Sequence, residues 1–215
     1  MKFLKQSIVI FLLPLIGLAQ YVEGEWEERD SWMDTAFIFE KVGITEGSYV
    51  ADIGCHEGYL SVRLANTVGK EGRVFAVDVR EDRLETLKGI LKERDLENVN
   101  VILGDYDNPK LPKNTLDAVI IMDTYHEMTD YMTILKHVKT ALKPGGRIII
   151  IEKQKRKVRD QSRTSQTDAH SMSPKYVRKE LLSAGFKNLI QKSKMGFWEN
   201  DEDKVIWMLV AEKGD

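Results

Sequence analysis

The sequence predicts an α/β fold in which a doubly wound, mostly parallel sheet is covered by helices on both faces. Three observations predict it. Short apolar runs alternate with longer segments whose apolar residues recur at helical spacing, the pattern of repeated strand–helix units. One run, Val50-Ala51-Asp52-Ile53, passes through Gly54 and Gly58 directly into a helix-periodic stretch containing Leu60, Val62, Leu64 and Ala65. Four runs deliver an acid at or near their carboxyl ends: Asp52, Asp78, Asp105 and Asp123. Acids gathered there describe one crevice along the top of a parallel sheet.

Taken in order, Thr35 to Val42 reads as a short helix with Ala36, Phe37, Phe39 and Val42 apolar, closed by Gly43. The first strand, the glycine turn and a helix follow. Gly69-Lys70-Glu71-Gly72 is a turn signal. The second strand is Arg73 to Asp78, and the next helix runs from about Glu81 to Arg94 with Leu84, Leu87, Ile90 and Leu91 on one face. Val99 to Gly104 is the third strand and Leu116 to Met122 the fourth, with Pro109 and Pro112 breaking the chain between them. Thr129 to Leu142 reads as a helix, Leu142 to Arg147 as a turn, and Ile148 to Ile151 as a strand ending at Glu152. Lys153 to Arg163 is a basic run, expected as a solvated loop. Ser173-Pro174 opens a last helix, Gly185 closes it, and Lys187 to Lys192 with Val205 to Ala211 form two final strands.

The glycine turn narrows the ligand. Gly54 can adopt angles closed to other residues and lets a ligand approach the main chain, while the helix beyond offers free amide donors. Asp78 ends the second strand 20 residues after Gly58, where a carboxylate can accept both hydroxyls of a ribose. The turn is G-x-x-x-G, not the G-x-G-x-x-G of nicotinamide-binding folds, and no Gly-Lys-Ser/Thr follows it as in a P-loop.

These residues resemble the first motif of class I S-adenosylmethionine-dependent methyltransferases, commonly Asp-Ile-Gly-Cys-Gly-x-Gly. The likeness runs from about Tyr49 to Gly185 and includes Asp78, the Gly104-Asp105 pair and the Leu142-Lys143-Pro144-Gly145-Gly146-Arg147 turn. His56 stands where the family often has its central glycine. The resemblance implies a Rossmann-like, seven-stranded sheet in a three-layer α/β/α sandwich, with an antiparallel hairpin at its C-terminal end. It implies S-adenosylmethionine as methyl donor and an unidentified small or lipid-like acceptor. It places Asp52, Gly54, Cys55, His56 and Gly58 around the methionine end and Asp123 near it. Asp78, with Val79 after it, then belongs at the ribose, and Asp105 with Tyr106 at the adenine.

The acceptor half is expected beyond the fourth strand. His126 and Glu127 could supply a base and its orienting partner, and His170 could close over the site from the loop before the last helix. Glu152, at a strand tip, is a further candidate. The nicotinamide reading and a donor-binding module without turnover are the competing expectations. No metal is expected, because no His-x-x-x-His or Cys-x-x-Cys pair occurs.

Composition sets the outer bounds. The 215 residues suffice for one full core, and 42% hydrophobic with 31% charged residues is globular composition. A formal charge of -2 gives no electrostatic footprint for nucleic acid. Cys55 is the sole cysteine, which excludes an internal disulfide. Lys2 and Lys5, the apolar stretch Ile8 to Ala19, and Gly17 and Ala19 ahead of Gln20 form the three-part pattern of a secretory signal peptide, too short to span a bilayer. It predicts an exported, periplasmic chain, with an N-terminal core helix on a cytoplasmic chain as the alternative. The expected division is a signal over 1–19, an arm and helix over 20–46, and the methyltransferase domain over 47–215. Tyr21 to Asp34 is polar and aromatic, with Trp26, Glu27, Glu28, Arg29, Asp30 and Trp32. Its resemblance to the charged, Trp-containing segment ahead of the first motif in bacterial methyltransferases implies a lid over the donor, and a surface arm whose tryptophans cap the core is the alternative.

Overall fold

A computed structural model describes residues 25–214. The expected signal segment lies outside the described residues. Residues 25–30 are helical, and α1 (Thr35–Val42) follows, capped by the Asp34 carboxylate accepting from the Phe37 amide at 2.9 Å and by left-handed Gly43. The chain then alternates: β1 (Tyr49–Ile53), α2 (Tyr59–Val68), β2 (Arg73–Asp78), α3 (Glu81–Glu93), β3 (Val99–Leu103), β4 (Leu116–Met122), α4 (Tyr131–Ala141) and β5 (Leu142–Lys155). It ends with α5 (Arg163–Asp168), α6 (Pro174–Ser183), β6 (Phe186–Phe197) and β7 (Lys204–Lys213).

The strands form one seven-stranded sheet in the order β3-β2-β1-β4-β5-β7-β6. Strands β1 to β5 are parallel, and β7 pairs antiparallel with both β5 and β6. The predicted α/β architecture with an antiparallel C-terminal hairpin is what the chain adopts. Strand order reverses between β1 and β4, so a cleft opens above their carboxyl ends. Alternation along the strands divides the core. In β4, Ala118, Ile120 and Met122 pack toward α1, α2 and α3, while Leu116, Val119 and Ile121 pack toward α4 and α6. Both faces are buried, which is why these strands are continuously apolar.

Several elements differ from expectation. The segment Leu142 to Arg147 is not a separate turn. It forms the first part of β5, where register jumps from Leu116↔Leu142 to Ala118↔Arg147 across a bulge. Apolar periodicity cannot mark a bulge, because its extra residues face no fixed side. The basic run at Lys153 to Arg163 is a solvated loop only in its middle, over 156–162: Lys153 and Lys155 extend β5 and pair with Ile206 and Lys204 of β7, and Arg163 opens α5. Strand β6 runs five residues further than Lys192, its polar residues reflecting its place at the sheet edge. Trp26 and Met33 are buried in the core beside α2 and Trp32 packs partly buried against it, as the core-capping alternative expects. Among the described residues no helix is long and apolar enough to cross a membrane.

Candidate functional site

The turn after β1 is built for close approach. The amides of Gly54 and Cys55 both donate to the Val77 carbonyl, at 2.8 and 3.0 Å. Gly54 has φ +77°, and a Cβ there would lie 2.3 Å from the Thr124 hydroxyl oxygen. Gly58 has φ +93°, and a Cβ on it would meet Leu87 of α3 at 2.2 Å. Glycine therefore lets β4 close on the turn at one position and α3 close on α2 at the other. Helix α2 begins at Gly58 without a side-chain cap.

Asp78 organises the adjoining loop. Its Oδ2 accepts from the His56 amide at 2.9 Å and its Oδ1 from the Arg80 amide at 3.0 Å. Each carboxylate oxygen keeps a lone pair for another donor. Two cavities flank the glycine turn. One, about 460 Å³, is lined by Asp78, Val79, Asp105, Tyr106, Asp123 and Glu127 among others. The other, about 590 Å³, is lined by Asp52, Cys55, Tyr59, Trp26, Arg29 and Trp32 among others. Gly54, His56, Met122, Arg29 and Trp198 line both, so the two adjoin across the turn.

Electrostatics differ between the halves. Asp52 is buried and accepts from the Ser61 hydroxyl at 2.7 Å; burial pushes its carboxyl up to about 6 against that bond. Burial also pushes the Cys55 thiol up, so it stays protonated. Burial and then the Arg83 guanidinium lower the His56 imidazole, leaving it neutral at pH 7. Among the described residues lining the larger cavity, Arg29 alone is cationic at that pH. Its guanidinium lies 4.3 Å from the Tyr59 ring centre and 4.8 Å from that of Trp198. Its Nε and the Trp32 indole nitrogen are buried and have no hydrogen-bond partner among the described residues.

The acceptor candidates separate. Asp123, at φ 53°, lines the smaller cavity and pairs with the Lys153 ammonium; burial and the nearby Glu152 charge raise its carboxyl. His126 is buried and lines neither cavity. Its amide donates to Glu152 Oε1 at 3.0 Å, and its Nδ1 lies 3.0 and 2.9 Å from the two oxygens of fully buried Glu152. Burial opposes the imidazole proton, but the Glu152 bond and charge prevail and raise the group. Glu127 does line the smaller cavity, and His170 lies beside it at 3.9 Å. Asp105 is exposed and bonded to the Lys110 ammonium at 2.9 Å, and Tyr106 is exposed at the rim.

The sequence reading gave no site role to Trp198, Lys153 or Met122, and carried Arg29 only within the arm read as a possible lid. Arg29 lies in a polar stretch without periodicity and Trp198 in a turn, so neither carried a local signal.

A family model described as a methyltransferase domain matches residues 44–209. The chain is 33% identical over 113 residues to a demethylmenaquinone methyltransferase of Geobacillus sp. (strain WCH70), covering 53% of this chain and 48% of that protein. It spans about half the length of the curated relatives it matches. In three dimensions it is similar to a crystal structure of a SAM-dependent methyltransferase from Aquifex aeolicus, with TM-score 0.76 and 24% identity, covering 91% of this chain and 97% of that one. A [4+2]-cyclase shares the fold at TM-score 0.69 and 19% identity, covering 84% of this chain and 79% of that one.

Proposed function

The chain belongs to the methyltransferase-domain family, and from that premise we propose that it transfers the methyl group of S-adenosylmethionine to a small or lipid-like acceptor. One observation carries the reading: two cavities, one walled by Asp78 and the other by Asp52, Tyr59, Trp26 and Trp32, adjoin across a side-chain-free turn at Gly54. The adenosine half suits the cavity with Asp78, where a carboxylate with spare lone pairs meets a diol. The amino-acid half suits the other. There the orphan donors of Arg29 and Trp32 await a carboxylate, and Asp52, kept buried at a cost, awaits an ammonium. The sulfonium then lies at the junction, near Met122 and Trp198.

The donor arrives activated, so the protein's task is to hold nucleophile, methyl carbon and sulfur in line. A base is needed only for an acceptor that must lose a proton, and Glu127, which lines the smaller cavity beyond Asp123, is the candidate. His126 and Glu152 stand behind it. The name of the 33%-identical relative supports an acceptor of quinone type.

Calorimetric titration of the chain with S-adenosylhomocysteine and with NAD tests the donor assignment. Micromolar binding of the first and none of the second is expected; the reverse would refute it. A labelled donor with a demethylated quinone then separates an enzyme from a binding module.

A further inference from the structure

We propose that His126 Nε2, the Glu127 carboxylate and His170 Nδ1 form a binding site for a divalent transition metal of the zinc class, at the rim of the smaller cavity. The three ligand atoms lie within 4.8 Å of one another. His126 Nε2 is 3.8 Å and His170 Nδ1 is 3.9 Å from Glu127 Oε1. The two imidazoles meet edge to face, 5.7 Å between centres at 85°. Ligands on tetrahedral zinc stand roughly 3.3 Å apart, given metal–ligand distances of about 2.0 Å. Each histidine therefore closes on Glu127 by about half an ångström, and the two histidines on each other by at most about 1.5 Å. The side chains that must move are the free ones: Glu127 is 62% exposed and His170 69%.

The fixed ligand carries the argument. Glu152 is wholly buried, yet both its oxygens are directed at the Nδ1 of His126, and one also takes the His126 amide. With Nδ1 given to Glu152, Nε2 is the nitrogen that faces Glu127 and His170, and a metal takes its lone pair in place of a proton. A carboxylate behind the far nitrogen is what orients a metal-ligating histidine and raises its basicity. The His170 loop is held as firmly. The Met172 amide donates to the Lys153 carbonyl at 3.1 Å, Ser171 Oγ accepts from the Lys155 amide at 2.9 Å, and the Trp207 indole donates to the Met172 carbonyl at 2.8 Å. The loop is thereby tied to β5 and β7, and the third ligand is presented from the opposite side.

A second cluster, Asp123 with His126 and Glu152, does not compete, because the Lys153 ammonium already neutralises Asp123 and Nδ1 is engaged by Glu152. Two nitrogens with one carboxylate favour zinc, iron(II) or cobalt(II) over magnesium, and three protein ligands leave a position open. Glu127 lines the cavity, so that position faces it and takes water or an acceptor oxygen. Only this last role rests on the methyl-transfer reading; the site itself does not.

The test is titration of the chelator-stripped full chain with Zn2+, and with Co2+ followed by visible absorption, with no methyl donor present. One equivalent binding in the micromolar range is expected. His170→Ala and Glu127→Gln, both exposed and neutral to the fold, should each weaken it at least tenfold. Glu152→Gln, checked for a native circular dichroism spectrum, should weaken it 10- to 100-fold. His137→Ala, on α4 outside the cluster, should match wild type. Failure of the wild-type chain to bind zinc, or binding that survives both His170→Ala and Glu127→Gln, overturns the proposal. Either outcome leaves S-adenosylhomocysteine binding to be judged separately.

Discussion

Arg29 and Asp52 face the same cavity with opposite charges, and each is expensive to keep there. A guanidinium stacked among Tyr59, Trp32 and Trp198 has lost water without gaining an acceptor at Nε. A ligand carboxylate would supply one. Arg29→Ala is therefore expected to weaken S-adenosylhomocysteine at least tenfold while leaving 5′-methylthioadenosine, which lacks the amino-acid tail, nearly unchanged. Equal losses for both ligands in calorimetry would mean that Arg29 merely shapes the wall. Asp52 gives a pH signature. Burial pushes its carboxyl from the ordinary 3.8 up to about 6, so the folded chain holds this proton more tightly. The resulting stabilisation is fully present below pH 3.8 and is lost as pH rises to about 6. Asp52→Asn removes that loss. Urea unfolding should show the variant about 2 to 3 kcal/mol more stable than wild type at pH 8 and level with it near pH 4. A gap of the same size at both pH values would contradict this origin. Binding of the amino-acid tail should fall in the same variant.

At the level of elements, the turn between β1 and α2 does two jobs with two glycines. Gly54 admits Thr124 of the segment after β4, and Gly58 admits Leu87 of α3. Gly58→Ala imposes a left-handed alanine and a 2.2 Å contact with a fully buried leucine. It should cost about 2 to 4 kcal/mol in chemical denaturation, strain and overpacking together. Combined with Leu87→Ala, which makes room, the double variant should cost less than the sum of the two single variants by over 0.5 kcal/mol. Strict additivity would show that the clash is relieved elsewhere. Helix and strand positions were legible in the sequence because they depend on near neighbours. Thr35–Val42 is bounded by Asp34 and Gly43, a cap and a stop that act within four residues. The bulge in β5 was not legible, since it answers to Leu116 in another strand. The basic residues Lys153 and Lys155 read as solvated, yet their strand is fixed by its partners in β7 and by the Asp123 carboxylate.

For the molecule as a whole, the sheet order sets what meets what. Reversal between β1 and β4 brings Gly54 against Thr124 and opens the cleft, while insertion of β7 between β5 and β6 carries Trp198 to its edge. The α/β class, the glycine turn and the acids at the strand ends were determined by the sequence alone, because periodicity, turn chemistry and cap residues are encoded within a few positions. Asp78 could be named from its spacing to Gly58. That Arg29, Asp52 and Trp198 share one cavity, that Glu152 backs His126, and that Glu127 faces the cleft while His126 does not, only the tertiary structure decided. These residues are up to 169 positions apart in the chain. Their meeting depends on which strands pair and which faces bury, energies summed over the whole core that no local spacing carries.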